Sequence, residues 1–189
     1  MNAIDLLIAD HNRVRGLFKR FREAKEKEET KAMVELAGMI VNELEVHTTI
    51  EEEIFYPAVR DTNDEISGLV DEGLQEHHVV KVLIEELAEV EPAQEVWVAK
   101  MTVLIENVEH HAEEEEKDMF PPLRSSCEAD MVDHLADQLE KRKAALGAPV
   151  LADKIDLTKD ELVKLAQEQE IPGRSQMSHD ELAATVAPS

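Results

Sequence analysis

The sequence HTTIEEEIFYP at residues 47–57 is the most informative part of the chain, because it recurs as HAEEEEKDMFP at residues 111–121. Both copies place a histidine four positions before a glutamate and close on an aromatic residue followed by proline. A second pair, DHNRV at 10–14 and EHHVV at 76–80, repeats at nearly the same separation. The chain therefore contains two similar halves, each with a lone histidine and a His-x3-Glu motif.

Apolar residues around these motifs recur at alternating three- and four-residue spacing, which predicts amphipathic α-helices. Pro57 and the pair Pro121–Pro122 are expected to end two of these helices, and Asp64 or Ser67 to cap a third. The stripes predict four long helices and a shorter fifth, over roughly residues 2–27, 30–55, 65–90, 94–119 and 128–146.

Leucine, alanine, glutamate and lysine dominate the sequence and no strand-like alternation persists, so the fold class is predicted to be all-α. Short connections within each half make neighbouring helices antiparallel. We expect an up-down-up-down four-helix bundle with an extra helix over residues 1–147. A small helical appendage over residues 150–189 is expected to follow.

Six polar residues occupy stripe positions that are otherwise apolar, and they are therefore predicted to face the core. Counted from the hairpin turns, the four histidines among them lie at similar heights in an antiparallel bundle. A buried carboxylate is costly unless it is paired or bound to metal. The six predicted metal ligands are His11, His47, Glu51, His77, His111 and Glu115.

Six ligands of mixed imidazole and carboxylate type are too many for one catalytic zinc ion, and they suit two ions with bridging carboxylates. Such donors suit iron, manganese or zinc, whereas calcium and magnesium prefer oxygen alone. The residues by themselves leave the choice among these three metals open. No catalytic residue is predicted beyond the metal centre itself.

Several neighbouring residues offer alternatives. His78 and His110 adjoin predicted ligands but lie off the stripes, so we expect them to be solvated. A shift of one position would exchange His111 and Glu115 for His110 and Glu114, but the matched aromatic-proline endings argue against it. The surrounding acidic run is interpreted as a solvated face, with a path for iron as the alternative: Glu52, Glu53, Glu113, Glu114 and Glu116.

Tyr56, the single tyrosine, is predicted to end the second helix close to Glu51. One interpretation is core packing with a hydrogen-bonded hydroxyl group. The other is a role at the metal centre, either as an additional phenolate ligand or as a hydrogen-bond donor to a ligand.

The formal net charge of −23 disfavours binding to nucleic acid or to anionic membranes. The single cysteine, Cys127, excludes a disulfide within the chain and a thiolate metal cluster. Neither a signal-peptide pattern nor a run of about 18 apolar residues is present, so we expect no membrane segment and a cytoplasmic location.

The pattern of His, His-x3-Glu, His and His-x3-Glu, with the endings EEEIFYP and EEEKDMFPP, resembles the hemerythrin-like family with HHE cation-binding motifs. The resemblance covers about residues 1–146. It implies a non-haem di-iron four-helix bundle with oxo and carboxylate bridges, whose small ligands are O2, peroxide or NO.

The sequence departs from the O2-carrying members of that family in two places. Those proteins have His-x3-His on the third helix, where this chain has His77 followed by Lys81, and Asp on the fourth, where it has Glu115. The missing histidine argues against simple O2 carriage. We therefore expect turnover of hydrogen peroxide first, or of NO, in stress defence. The alternative is a non-catalytic oxygen or iron sensor or store, and whether the protein is an enzyme with catalase- or peroxidase-like activity stays open.

Residues 150–189 differ in character from the rest of the chain. Two capped helix starts, DLTKDEL at 156–162 and SHDEL at 178–182, flank the segment IPGRS. This arrangement resembles the short module at the N-terminus of the Rho transcription terminator and related SAP-like motifs. Residues 155–189 carry three basic and seven acidic residues, so a protein partner is favoured over nucleic acid.

Overall fold

The computed structural model describes residues 2–127 and 129–147, together with the isolated positions 163 and 167. The fold class is confirmed, since all regular structure in these ranges is helical. The chain divides into two compact units, Met1–Leu146 and Gly147–Ser189. Both capped helix starts predicted after residue 150 lie outside the described residues.

The first helix, α1, spans Ala3–Glu26, and the Asn2 side chain caps it by accepting a hydrogen bond of 2.9 Å from the Asp5 backbone N–H. A tight turn follows at residues 27–29. Glu28 has φ of +56° in that turn, a left-handed conformation that lets the chain reverse directly into the next helix. The predicted antiparallel hairpin of α1 and α2 follows from this reversal.

The second helical rod, α2, runs past the proline that was expected to end it. It consists of four successive segments: the α-helix Thr30–Ile50, the π-helix Glu51–Phe55, the α-helix Tyr56–Val59 and the 3-10 helix Arg60–Thr62. The prediction that Pro57 ends the helix was therefore wrong.

The fourth rod, α4, repeats this arrangement. It consists of the α-helix Glu95–Glu114, the π-helix Glu115–Met119 and the α-helix Phe120–Ser126. The helix continues through Pro121 and Pro122, again against expectation.

The π turns explain why these prolines do not end the rods. A proline lacks an N–H group, and its ring collides with the carbonyl four residues earlier in a regular α-helix. The backbone N–H groups of Tyr56 and Phe120, just before the prolines, instead bond five residues back, to Glu51 and Glu115. The wider turn displaces the carbonyl that would collide, so the helix continues.

The third helix, α3, spans Asp64–Ala88, and α5 spans Ala129–Ala145. Neither Asp64 nor Ser67 caps α3. The Asn63 side chain does so by accepting a hydrogen bond of 2.9 Å from the backbone N–H of Ile66, since Asn63 has the extended backbone that a cap requires.

The four long rods form a ring in which α1 contacts α2, α2 contacts α3, α3 contacts α4 and α4 contacts α1. The shorter α5 packs against α1 and α2. One apolar cluster fills the end of the bundle where α1 begins, around Leu7, Phe55, Phe120 and Leu139. No helix in the described ranges is both long and apolar enough to span a lipid bilayer.

Candidate metal centre

The six predicted ligands come together in the middle of the bundle, and all six are buried. The Nε2 atoms of His11 and His47 lie 3.1 Å apart, and those of His77 and His111 also lie 3.1 Å apart. Each pair joins the two rods of one sequence half. The bundle thus presents two equivalent pairs of imidazole nitrogens.

The two carboxylates lie between these pairs. Glu51 Oε2 is 3.2 Å from His47 Nε2 and 3.3 Å from His77 Nε2. Glu115 Oε2 is 3.3 Å from His11 Nε2 and 3.7 Å from His111 Nε2. Each carboxylate therefore reaches histidines of both halves, as a bridging ligand must.

Several atoms of this centre lack the hydrogen bonds that buried polar groups normally form. Both carboxylate oxygens of Glu51 and the Oε2 atom of Glu115 have no hydrogen-bond partner within the described part of the chain. Burial without a partner is costly for a carboxylate unless a cation neutralises it. These orphaned oxygens beside imidazole nitrogens fit a metal ion.

The potential ligand atoms form two groups. In each group all atoms lie within 4.8 Å of one another. The groups share Glu51 and correspond to the two halves of the centre. One contains His11, His47, Glu51 and Glu115, and the other contains Glu51, His77 and His111.

The pKa values of the residues at the centre reflect their burial and the charges around them. Burial lowers the pKa of His47 to about 3, which keeps its imidazole neutral. Burial alone would raise the pKa of Glu51, but the neighbouring histidines outweigh it and hold that pKa well below its usual value. Burial also opposes protonation of the other three histidines, yet nearby carboxylates raise the pKa values of His11, His77 and His111.

The outer nitrogens of the histidines face a second ring of carboxylates. His11 Nδ1 is 2.9 Å from Glu116 Oε1, and His77 Nδ1 is 3.0 Å from Glu52 Oε1. The interpretation of Glu52 and Glu116 as solvated residues was wrong, because the π turns direct both side chains back towards the bundle. Such partners fix the imidazole orientation and leave Nε2 directed inwards.

The other two histidines also face carboxylates, but only His111 is within hydrogen-bond distance of one, and His47 Nδ1 has no hydrogen-bond partner in the described part of the chain. His111 Nδ1 is 2.7 Å from Glu76 Oε2, and His47 Nδ1 is 3.7 Å from Asp10 Oδ2. Asp10 and Glu76 each precede a predicted ligand in the sequence repeat. The similarity of the two halves therefore extends to the carboxylates around the histidines.

A buried ion-pair cluster lies beside His47, and the sequence reasoning missed it. The Arg13 guanidinium donates to Asp10 and lies 3.4 Å from Glu43 Oε2, while Lys143 of α5 also donates to Asp10. Its sequence signal was the DHNR segment, in which an acid and an arginine are three residues apart on one helix face.

Tyr56 lies at the centre, with its hydroxyl donating a 2.9 Å hydrogen bond to Glu115 Oε1. Its ring stacks on that of His77, with centroids 5.4 Å apart. Burial and the nearby carboxylates raise its pKa well above the ordinary value, so the hydroxyl keeps its proton. This geometry corresponds to the hydrogen-bond donor among the roles considered for Tyr56.

The structure places the neighbouring histidines as the stripes suggested. His78 and His110 are exposed, whereas His77 and His111 are buried. Among the remaining acidic residues, Glu53 is exposed and pairs with Arg142 of α5 at 2.7 Å. The alternative register with His110 and Glu114 as inner ligands does not match this arrangement.

A helical bundle whose core holds two histidine pairs and two orphaned carboxylates defines a metal-binding protein. Comparison with known families agrees. The hemerythrin HHE cation-binding domain matches residues 2–123. The chain belongs to the hemerythrin HHE family.

Individual relatives share this domain. A protein named DNA nickase from Nostoc sp. is 26% identical over 146 residues, which cover 77% of this chain and 40% of that protein. Uncharacterized proteins from Mycobacterium tuberculosis and Mycobacterium bovis are 31% identical over 121 residues, covering 64% of this chain and 71% of theirs. The chain thus spans less than half the length of the Nostoc relative. No solved structure matches the chain significantly.

Proposed function

We propose that this protein holds two iron ions and that the resulting centre binds or turns over O2-derived species, with hydrogen peroxide first and O2 or NO as other ligands. The observation that carries the proposal is the set of buried oxygens without hydrogen-bond partners, both of Glu51 and one of Glu115, on carboxylates that each lie between histidines of both halves. The six residues that would hold the ions are His11, His47, Glu51, His77, His111 and Glu115.

The distances support one division of these ligands. His11 and His47 would bind one ion, and His77 and His111 the other, through their inward Nε2 atoms. Glu51 and Glu115 would be shared between the ions, since each approaches both pairs. Imidazole and carboxylate ligands suit iron, and membership in an HHE cation-binding family favours that metal.

Two bound iron ions would supply the redox chemistry, and the protein would control access, orientation and protons. Two molecules of hydrogen peroxide would yield two of water and one of O2, a balanced reaction that needs no outside reductant. Tyr56 would donate a hydrogen bond at Glu115, and Glu52 and Glu116 would keep the Nδ1 protons in place. The buried site would exclude bulk water from these contacts.

Two features favour turnover over reversible O2 carriage and over action on DNA. Within the described ranges four histidines reach the centre, and Lys81, which stands where the O2 carriers have a further histidine, pairs with Glu52 at 2.7 Å. The net charge of −23 opposes binding to a phosphate backbone. We therefore do not extend the name of the Nostoc relative to this chain, and we propose a cytoplasmic role in oxidative or nitrosative stress defence.

The test is metal analysis combined with an optical spectrum. Iron-loaded protein should contain about two irons per chain, should absorb in the near-ultraviolet and visible range, and should consume added hydrogen peroxide with release of O2. Glu51→Ala should lose iron and activity, because it removes a shared ligand. Glu53→Ala is the matched control, since Glu53 lies in the same π turn but is exposed. Full-length protein with neither iron nor the absorption would disprove the proposal.

The alternative is a non-catalytic oxygen or iron sensor or store that signals to a protein partner through residues 150–189. Removing those residues distinguishes the two functions. An unchanged rate of peroxide consumption in the chain ending at residue 147 supports the enzyme. Absence of peroxide turnover, with O2-dependent capture of a partner by the full chain only, supports the sensor.

A further inference from the structure

A second group of metal-ligating side chains lies outside the central six. It consists of Glu76 on α3 with His110 and Glu114 on α4, whose ligand atoms lie within 4.8 Å of one another. His110 Nε2 is 3.4 Å from Glu114 Oε1 and 3.9 Å from Glu76 Oε1. The His110 side chain is 65% exposed, so solvent reaches this group.

A small cleft between α3 and α4 is lined both by Glu76 and Glu114 of this group and by His111 and Glu115 of the centre. Glu115 is 3% exposed, and its Oε2 atom is one of the buried oxygens without a hydrogen-bond partner in the described ranges. The cleft therefore has the half-buried carboxylates of Glu76 and Glu114 on its outer side, next to the exposed His110, and an unsatisfied buried carboxylate at its inner side.

Glu76 faces both His110 at the mouth of the cleft and His111 at the centre. Its Oε2 atom is 2.7 Å from His111 Nδ1, and its Oε1 atom is directed towards His110. Gly73, one turn earlier on α3, also lines the cleft, and a Cβ atom added there would lie 2.7 Å from the Tyr56 hydroxyl oxygen. A cation at the mouth would thus be separated from the His77 and His111 pair by the Glu76 side chain.

The repeat indicates that this opening is specific to the second half of the chain. The positions equivalent to Glu76, His110 and Glu114 in the first half are Asp10, Val46 and Ile50, and all three of these are buried. Asp10 is bound there by Lys143 of α5, which packs on α1 and α2. Polar ligands thus occur where the bundle is open and apolar residues where α5 closes it.

We propose that Glu76, His110 and Glu114 form a docking site for a divalent cation, from which the ion passes through the cleft into the central site. Two carboxylates and an imidazole attract and loosely bind a first-row divalent ion. Concentrated negative charge at a cleft raises the rate of cation capture by about tenfold or more. This role rests on the proposed two-metal centre, because it supplies that centre with metal.

The experiment follows Co²⁺ uptake by metal-free, full-length protein in a stopped-flow spectrometer, since Co²⁺ accepts the same donors and absorbs in the visible range. The variant His110→Ala/Glu114→Gln should take up Co²⁺ more than threefold more slowly than the natural chain. Its final content should remain two ions per chain, because the inner ligands are intact. Glu114→Gln alone should give an intermediate rate. The matched control is His78→Ala/Glu113→Gln, which makes the same changes at exposed positions and should load at the natural rate.

The outcomes separate this inference from the proposed function. Normal final binding with uptake by the double variant within threefold of the natural chain would overturn the docking site and leave the centre intact. Equal slowing in the control variant would also overturn it, since general charge would then explain the effect. Failure of the natural chain to bind Co²⁺ at the centre would overturn the proposed function, and the docking role with it.

Discussion

Tyr56 contacts the buried centre without being one of the six residues proposed to hold the metal. Its hydroxyl donates to Glu115 while the other oxygen of that carboxylate stays free of hydrogen bonds. Its ring stacks on His77. The residue therefore fixes both a shared carboxylate and an imidazole, and its removal should loosen the centre without emptying it.

We expect Tyr56→Phe to retain about two irons per chain but to release iron to a chelator roughly ten times faster than the natural chain. The physical reason is that hydrogen-bond partners of metal ligands are worth about 10–100-fold in metal affinity. The measurement is the half-time of iron transfer to an excess of a coloured chelator. A variant that purified with a single iron, or lost a phenolate absorption band, would instead identify Tyr56 as a ligand.

The carboxylates around the histidines make the metal-free protein sensitive to acid. A hydrogen bond from His77 is the largest cause that lowers the pKa of Glu52 from 4.5 to about 2; burial opposes it, and Lys81 assists. Because the pKa is lower in the folded state, ionised Glu52 stabilises the fold above pH 4.5. That contribution is lost as the pH falls towards 2.

We therefore expect Glu52→Gln to destabilise metal-free protein at pH 5–6 and to have progressively less effect between pH 4.5 and 2. The measurement is the urea midpoint of both proteins across this range. Glu45→Gln, at an exposed position on the same rod, is the control and should show little effect at any pH. A Glu52→Gln difference that stayed constant down to pH 2 would contradict the assigned ion pair.

At the scale of the elements, the π turns are the feature that builds the centre. They begin at Glu51 and Glu115, the two carboxylates proposed to be shared by the ions, and end just before the tyrosine and phenylalanine that precede the prolines. A π turn adds one residue to a helical turn and is frequent at functional sites. Here it allows Glu51 and Glu52, adjacent in sequence, to contact His77 from opposite sides of its ring.

Helix α3 approaches α2 closely at one residue, next to Tyr56. A Cβ atom added at Gly73 would lie 2.7 Å from the Tyr56 hydroxyl oxygen and 3.2 Å from its Cζ atom. Neither the tyrosine ring nor the helix backbone can yield easily, because both are buried. Glycine is therefore required there by the contact between helices.

We expect Gly73→Ala to lower the free energy of unfolding by about 1–3 kcal/mol, as overpacked cores do. Gly68→Ala in the same helix should raise it by about 0.5–1 kcal/mol, because nothing lies within 4 Å of an added Cβ and alanine favours helix. Urea unfolding of both variants measures the contrast. Stabilisation by both substitutions would show that Tyr56 does not occupy the described position.

At the scale of the whole molecule, the bundle gathers several carboxylates around the predicted metal site. Glu51 and Glu115 meet at the middle of four rods, with Glu52, Glu76, Glu116 and Asp10 around them. The chain as a whole carries a net charge of −23. Metal binding should therefore stabilise the entire fold rather than one local segment.

We expect chelation of the metal to lower the melting temperature by several degrees, since a ligand at 100 times its Kd contributes about 2.7 kcal/mol to the folded state. Differential scanning calorimetry of metal-loaded and metal-free protein measures this shift. Glu51→Ala should melt at one temperature with or without added metal. Equal melting temperatures of the natural chain in both states would argue for a polar core without metal.

Much of this molecule follows from its sequence, because helical periodicity is local. The stripes through His11, His47, His77 and His111 predicted the helices, their antiparallel order and the inward direction of the histidines. The two His-x3-Glu motifs predicted that Glu51 and Glu115 lie one turn away. These conclusions needed only the geometry of an α-helix and the cost of burying a carboxylate.

The tertiary structure decided what depends on contacts between helices. Sequence reasoning ended the second rod at Pro57 and assigned Glu52 and Glu116 to solvent, because regular α-helical spacing places them outside. The π turns change that spacing, and their stability depends on the packing of Tyr56 and Phe120 in the core. Helix α5 docks on the first half and closes one side of the centre, while the other side stays open at His110. This docking results from long-range packing that no local pattern encodes.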